Sequence, residues 1–305
     1  MKRTGQTPGR PAPLRRRQLA AGGRRRLPAR RGRFGLGRRP VRGAAGGKRR
    51  GAVKSFPAGL RTSVVVAGGS GGETLVKALA ELSRLQPDEI VVVLHGDGKA
   101  GLELIRMFPE AAVVHAAEPL GQGEQRCAGA KMAEGDAMLV VDGTVPADAR
   151  RLLPLLKAVR SGTDVALTRV EENLGPFSAW NDTMRLRAFM NSGFGRPDLG
   201  ASSMSDLPYA LSRRALRALG AEALAAPAKA QAEALALGLR VRTCARTAGG
   251  SFKGSGGERP EGDSRRGRYV EEHIEALCEA MSRSGARLAL TDAERRRSAA
   301  GGAAP

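Results

Sequence analysis

Four short runs of apolar, mostly β-branched residues between Ser63 and Thr144 constrain this chain more than anything else in it. They read Ser63-Val-Val-Val-Ala-Gly-Gly, Glu89-Ile-Val-Val-Val-Leu-His, Ala112-Val-Val-His and Ala137-Met-Leu-Val-Val-Asp. Helical patterns separate them: Glu73–Leu85, with Leu75, Leu79 and Leu82 at helical spacing, then Leu102–Phe108, then Gly121–Glu134. Strand-length runs alternating with amphipathic helices predict an α/β fold. Each run ends in small or polar turn residues: Gly68-Gly-Ser-Gly-Gly, His95-Gly-Asp-Gly, Leu120-Gly-Gln-Gly after the third, and Asp142-Gly-Thr. An open sheet of this kind binds its ligand at the C-terminal ends of its strands.

The pattern continues less regularly. A helix is expected from near Pro146, where proline is tolerated, to about Arg160, and a strand over Thr163–Arg169. Periodicity is lost from Val170 to Ser205, apart from a partly helical stretch around Asp182–Met190. Strand Leu207–Leu211, helices Ser212–Leu219 and Ala228–Leu237, and strand Leu239–Cys244 follow. Gly249–Arg268 reads as a Gly/Ser/Arg-rich loop, and Tyr269–Ser284 as an amphipathic helix with Ile274, Leu277 and Met281 on its apolar face. The expected domains are a basic arm (1–60), an α/β domain (61–245), a flexible loop (246–268), and a C-terminal helix and tail (269–305).

Charge divides the chain in the same place. Residues 1–60 carry 19 Lys or Arg and no acid, leaving 32 of the 51 basic residues to face 30 acidic ones in the remainder. The net charge of +21 therefore belongs to the arm, and the rest of the chain carries +2. A Gly/Pro/Arg-rich segment with so little apolar surface is expected to be disordered, and its charge suits a polyanion such as nucleic acid or an anionic surface. Its aromatics, Phe34 and Phe56, are too few for base stacking. Three widely spaced cysteines (Cys127, Cys244, Cys278) make neither a disulfide framework nor a zinc pattern. No apolar run approaches the ~20 residues of a transmembrane helix, and the charged start lacks the apolar core of a signal peptide. The expectation is cytoplasmic, with an organelle transit peptide as the second reading of the arm.

From Ser63 to about Thr168 the residues resemble the family 2 glycosyltransferases. Val64-Val-Val and Glu73-Thr-Leu match the family's first strand and helix entry, and Asp88-Glu-Ile-Val-Val-Val with Leu102-Glu-Leu-Ile its second unit. Leu120-Gly-Gln-Gly…Arg126…Ala128-Gly-Ala is the most specific match. Gly135-Asp-Ala-Met-Leu-Val-Val-Asp142 resembles the strand that leads to the family's Asp-X-Asp motif. Pro208–Leu216 and Gly238-Leu-Arg-Val resemble the end of that domain. The resemblance implies a GT-A-like, Rossmann-related mixed sheet flanked by helices. It implies a nucleotide-sugar donor, an unidentified acceptor, an inverting course and a divalent cation, Mg²⁺ or Mn²⁺. Ala67, Ser70, His95, Asp97, Gly121, Arg126 and Asp142 would lie around the donor, with Asp142 as metal ligand. Thr144 stands where the second metal-binding carboxylate belongs, and Ala226-Pro227 where the base belongs, so Asp206 and Glu222 become candidate bases. A catalytically inactive binding or structural protein of the same fold is the alternative.

Other motifs compete. Gly96-Asp-Gly-Lys-Ala-Gly101 matches the dinucleotide fingerprint and Glu118 lies near the place of a ribose-binding acid, but the fingerprint normally follows the first strand of its sheet. Gly68-Gly-Ser-Gly-Gly suits a phosphate but lacks the Lys-Ser/Thr ending of a P-loop. His115 reads as a structural strand residue, His273 as part of a solvated helix face, and Cys127 as a small buried side chain. Trp180 reads equally as a platform for a sugar ring or as a core anchor.

Overall fold

A computed structural model describes residues 59–69, 72–96, 99–170, 176–246 and 262–290. Residues 1–58 of the arm, Ser70 and Asp97 lie outside the described residues, as does the Gly-rich segment 247–261. A seven-stranded sheet runs through the described chain, built from β1 (Thr62–Gly69), β2 (Glu89–His95), β3 (Ala111–Ala116), β4 (Ala137–Asp142), β5 (Val165–Arg169), β6 (Tyr209–Ser212) and β7 (Val241–Arg246). The spatial order is β3-β2-β1-β4-β6-β5-β7. The first four strands are parallel, β6 runs antiparallel to both β4 and β5, and β7 is parallel to β5. The sheet is thus mixed, as the sequence predicts. Chain order changes direction between β1 and β4, so a crevice opens at their C-terminal ends.

Alternation within the apolar runs explains why both faces of the sheet are covered. Val64, Val66, Ile90, Val92, Leu139 and Val141 point to one side and pack with Leu75, Leu79 and Leu82 of α1 (Glu73–Ser83) and Leu152, Leu155 and Leu156 of α4 (Ala149–Arg160). Val65, Val91, Met138, Val140, Tyr209 and Leu211 point to the other. There they meet α3 (Gln122–Met132), α6 (Arg213–Leu219) and α7 (Pro227–Ala236). The short α2 (Lys99–Ile105) precedes β3. Strands buried on two sides read as continuous apolar runs, which is why they are so visible in the sequence.

The segment without periodicity is ordered by side chains. It contains α5 (Asp182–Gly193) and 3-10 turns at Phe177–Ala179 and Pro197–Leu199. Asn191 Nδ2 donates to the Gly200 and Ser202 carbonyls at 2.7 and 3.1 Å, and Gln231 Nε2 donates to Asn191 Oδ1 at 2.7 Å. Met204 N–H donates to Gln231 Oε1 at 2.7 Å. A loop held by buried polar side chains satisfies its backbone without the periodicity of a ladder.

Four expectations need correcting. The last helix, α8, spans Gly262–Ser284 and so begins within the expected loop. Its buried face is His273, Ala276, Leu277 and Ala280, while Ile274 is 48% exposed. Helix α8 packs on both α5 and α7, and that second contact turns its inward face away from Ile274. His273 is therefore fully buried, not solvated. His115 departs from its expected role too: β3 is an edge strand, and the exposed ring places Nε2 2.8 Å from the Gly96 carbonyl.

Candidate active site

A cleft of about 530 Å³ lies at the reversal point between β1 and β4. Gly68 and Asp142 close it from the strand ends, Leu120–Arg126 from the start of α3, Ala225 and Pro227 from the start of α7, and Arg268, Tyr269 and Glu272 from α8. A ligand in this position meets the backbone N–H groups and positive end of the α3 dipole. Glu124 turns back to accept from the Gly121 N–H at 2.7 Å, which fixes the start of the helix.

The glycines of the Leu120-Gly-Gln-Gly and Ala128-Gly-Ala stretches have a steric reason. A Cβ on Gly123 would sit 2.1 Å from the Ala225 carbonyl oxygen, and one on Gly129 would sit 2.3 Å from Val65. Helix α3 can lie against both the sheet and the Glu222–Ala225 turn only because those positions carry no side chain. Gly68 answers a third close approach. It adopts φ +88°, and a Cβ there would lie 2.9 Å from Asp142 Oδ1.

Asp142 organises the floor of the cleft. Its Oδ1 accepts the Thr144 N–H at 2.8 Å and the Thr144 hydroxyl at 2.6 Å, and its Oδ2 accepts Gln122 Nε2 at 3.2 Å. Thr144 thus supports Asp142 from within its own turn. Gln125 ties β1 to α3, accepting the Gly68 N–H and donating to the Leu120 carbonyl at 2.8 Å. Neither glutamine was expected, although both sit inside the motif that carries the family resemblance.

Arg126 lies beneath them, 1% exposed. It donates to the carbonyls of Met204 (3.0 Å) and Ser205 (3.1 Å) and to Gln122 Oε1 (3.0 Å), and its guanidinium lies 5.9 Å from the centre of the Tyr209 ring. It puts positive charge under the cleft while holding the 204–205 loop. Asp206 follows that loop, where Arg187 Nη1 meets its Oδ2 at 2.8 Å. Burial pushes the Asp206 carboxyl up, against the pull of Arg187 and Arg126.

The remaining expected residues are distributed unevenly. Gly121, Arg126 and Asp142 share the cleft. Ala67 is buried beside Asp142 in the strand register and accepts the Gly143 N–H at 2.7 Å, so it meets the site through its backbone. His95, half-buried at the end of β2, is not among the residues lining the cleft. Glu222 is an exposed surface residue whose own backbone N–H first, and Lys131 at 3.1 Å second, hold its carboxyl below the usual range. Cys127 is half-buried on α3, and Trp180 packs on Val170, Met184 and Ala201 with Phe177 tilted beside it at 5.1 Å.

Among the described residues, no three His, Cys, Asp or Glu side chains gather as metal ligands. At the strand ends the donor set is one carboxylate, Asp142, whose Oδ2 among the described residues is held by the 3.2 Å contact from Gln122, with a cradle beside it that a Cβ at residue 68 would fill. That does not fit a cation caged by protein alone. It fits Mg²⁺ or Mn²⁺ arriving on a diphosphate, bound through one carboxylate, phosphate oxygens and water.

Solved structures share this fold. Glucosyl-3-phosphoglycerate synthase from Mycobacterium tuberculosis, in complex with Mn²⁺, UDP and phosphoglyceric acid, aligns over 77% of this chain and 81% of that chain with a TM-score of 0.50 at 18% identity. The same enzyme with Mg²⁺ and UDP aligns over 75% and 80% with a TM-score of 0.51, also at 18% identity. The sheet is therefore GT-A-like, and at these identities the likeness is one of fold. No family model matches the sequence, and no curated protein matches it.

Proposed function

We propose that the chain is a glycosyltransferase of family 2 type, moving a hexose from a nucleoside-diphosphate donor to a hydroxyl acceptor with inversion. The observation that carries this reading is the meeting of Asp142, Gly68 and the start of α3 in one cleft at the reversal point of a GT-A-like sheet. The α3 backbone and Arg126 beneath it favour an anionic group there. Asp142, kept in place by Thr144 and Gln122, would hold the cation on the diphosphate. Such a cation, when bound, offsets the charge that develops on the departing diphosphate. His95 belongs to the nucleotide side in this reading, as do Ser70 and Asp97 by the family resemblance alone, since they lie outside the described residues. The structural neighbour binds UDP, which makes UDP the first nucleotide to test.

Calorimetric titration of residues 61–305 with UDP, with and without Mn²⁺, tests the proposal. Removing the arm matters because its 19 basic residues attract any anion. We expect Mn²⁺ to tighten UDP binding on the order of tenfold or more, and Asp142→Ala to remove that enhancement. Absence of binding by every nucleoside diphosphate would leave the second reading, an inactive protein of this fold, which the Thr144 substitution favours.

A further inference from the structure

Transfer to a hydroxyl needs a base, and the residues expected from sequence do not provide one in the cleft. The Asp206 carboxylate is paired with Arg187, and Glu222 is paired with Lys131 on the surface. Three carboxylates line the cleft: Asp142, Glu124 and Glu272. Asp142 holds three donors, and Glu124 caps α3 at the exposed rim. Glu272 is different. It is half-buried on α8 among the residues that line the cleft, and its Oε1 accepts the Ala228 N–H at 2.7 Å at the start of α7. No other hydrogen bond to it occurs among the described residues, so Oε2 is available to a ligand.

We propose that Glu272 is the general base of the transfer reaction, an assignment that rests on the glycosyltransferase reading above. Its carboxylate accepts the acceptor hydroxyl proton as the oxygen bonds to the anomeric carbon of the sugar. The bond from that carbon to the diphosphate breaks, and the electron pair leaves with the nucleoside diphosphate. The surroundings suit the task. Burial raises the carboxyl above its ordinary value, while the Ala228 N–H, Arg126 from α3, Arg187 from α5 and Lys229 from α7 pull it back. On its own helix, Arg268 lies one turn earlier and buried His273 is adjacent. A carboxylate whose proton affinity is raised by burial is a stronger base. It comes from the last helix, 44 positions from its Ala228 anchor, which is why no short motif reveals it.

The full-length chain and its Glu272→Gln and Glu272→Ala variants would be assayed for UDP binding and for nucleotide release from UDP-, GDP- and ADP-linked hexoses, with water as acceptor. Glutamine keeps an acceptor for the Ala228 N–H, so the fold and UDP affinity should hold within about twofold. Release should fall on the order of 10²–10⁴-fold, and the fall of kcat/KM on the acid side should vanish. Added formate should restore part of the rate to Glu272→Ala, which a purely structural role would not produce. Release within about threefold of wild type in Glu272→Gln would overturn the assignment and leave the transferase reading intact. Wild-type binding without release would also overturn it, leaving a binding protein. No nucleotide binding by wild type would remove both readings.

Discussion

His273 shows how one buried side chain can make stability depend on pH. With the ring neutral, Nδ1–H donates to the Tyr269 carbonyl at 2.7 Å, and Nε2 is buried without a partner among the described residues. Burial first, and Arg187 second, push its pKa down to about 4. The folded state therefore disfavours the protonated ring, which the unfolded chain accepts near its ordinary value of about 6.5. The contribution of the neutral ring is fully present above about pH 6.5 and is lost as pH falls toward about 4. We expect the chain to lose on the order of 3 kcal/mol over that window. Denaturant unfolding across the same range should show it, and His273→Gln should flatten this component. Arg126 is the other decisive residue. Its sequence position pointed to the cleft, but two of its three acceptors, the Met204 and Ser205 carbonyls, come from a chain segment that only folding brings to α3.

Helix α3 is the element on which the site depends. It fixes Gln122 against Asp142 and Gln125 against Gly68, and it begins at the cleft. Its placement relies on contact with the turn at Ala225, where Gly123 leaves no room for a side chain. Gly123→Ala gains helix propensity, yet its Cβ would meet a backbone oxygen that cannot rotate away. We expect overpacking to prevail, with a loss of about 1–3 kcal/mol in thermal denaturation and weaker UDP binding as α3 shifts from β1. Helix α8 is the converse case. The sequence shows an amphipathic helix there, but an isolated apolar count selects Ile274 for the interior, whereas packing on two helices selects His273 and Ala276.

For the whole chain, charge is separable from the folded site. Deleting residues 1–60 removes 19 positive charges and leaves a net of +2. Electrophoretic mobility shift with a polyanion such as heparin or duplex DNA should show tight, salt-sensitive binding by the full chain and little by the deletion variant. Among the described residues, no helix is long and apolar enough to cross a membrane. The amino-acid sequence by itself determined the parallel part of the sheet, its helices and the strand-end turns, because strands covered on two faces leave continuous apolar runs and turns leave glycines. The family resemblance named Gly121, Arg126 and Asp142, which line one cleft. Only the tertiary structure decided that Gln122 reaches Asp142, that Asp206 and Glu222 are engaged in ion pairs, and that α8 brings Glu272 to the cleft. Local patterns record what a residue's neighbours in sequence require of it, whereas the charge and hydrogen-bond partners of a cleft come from chain segments far apart.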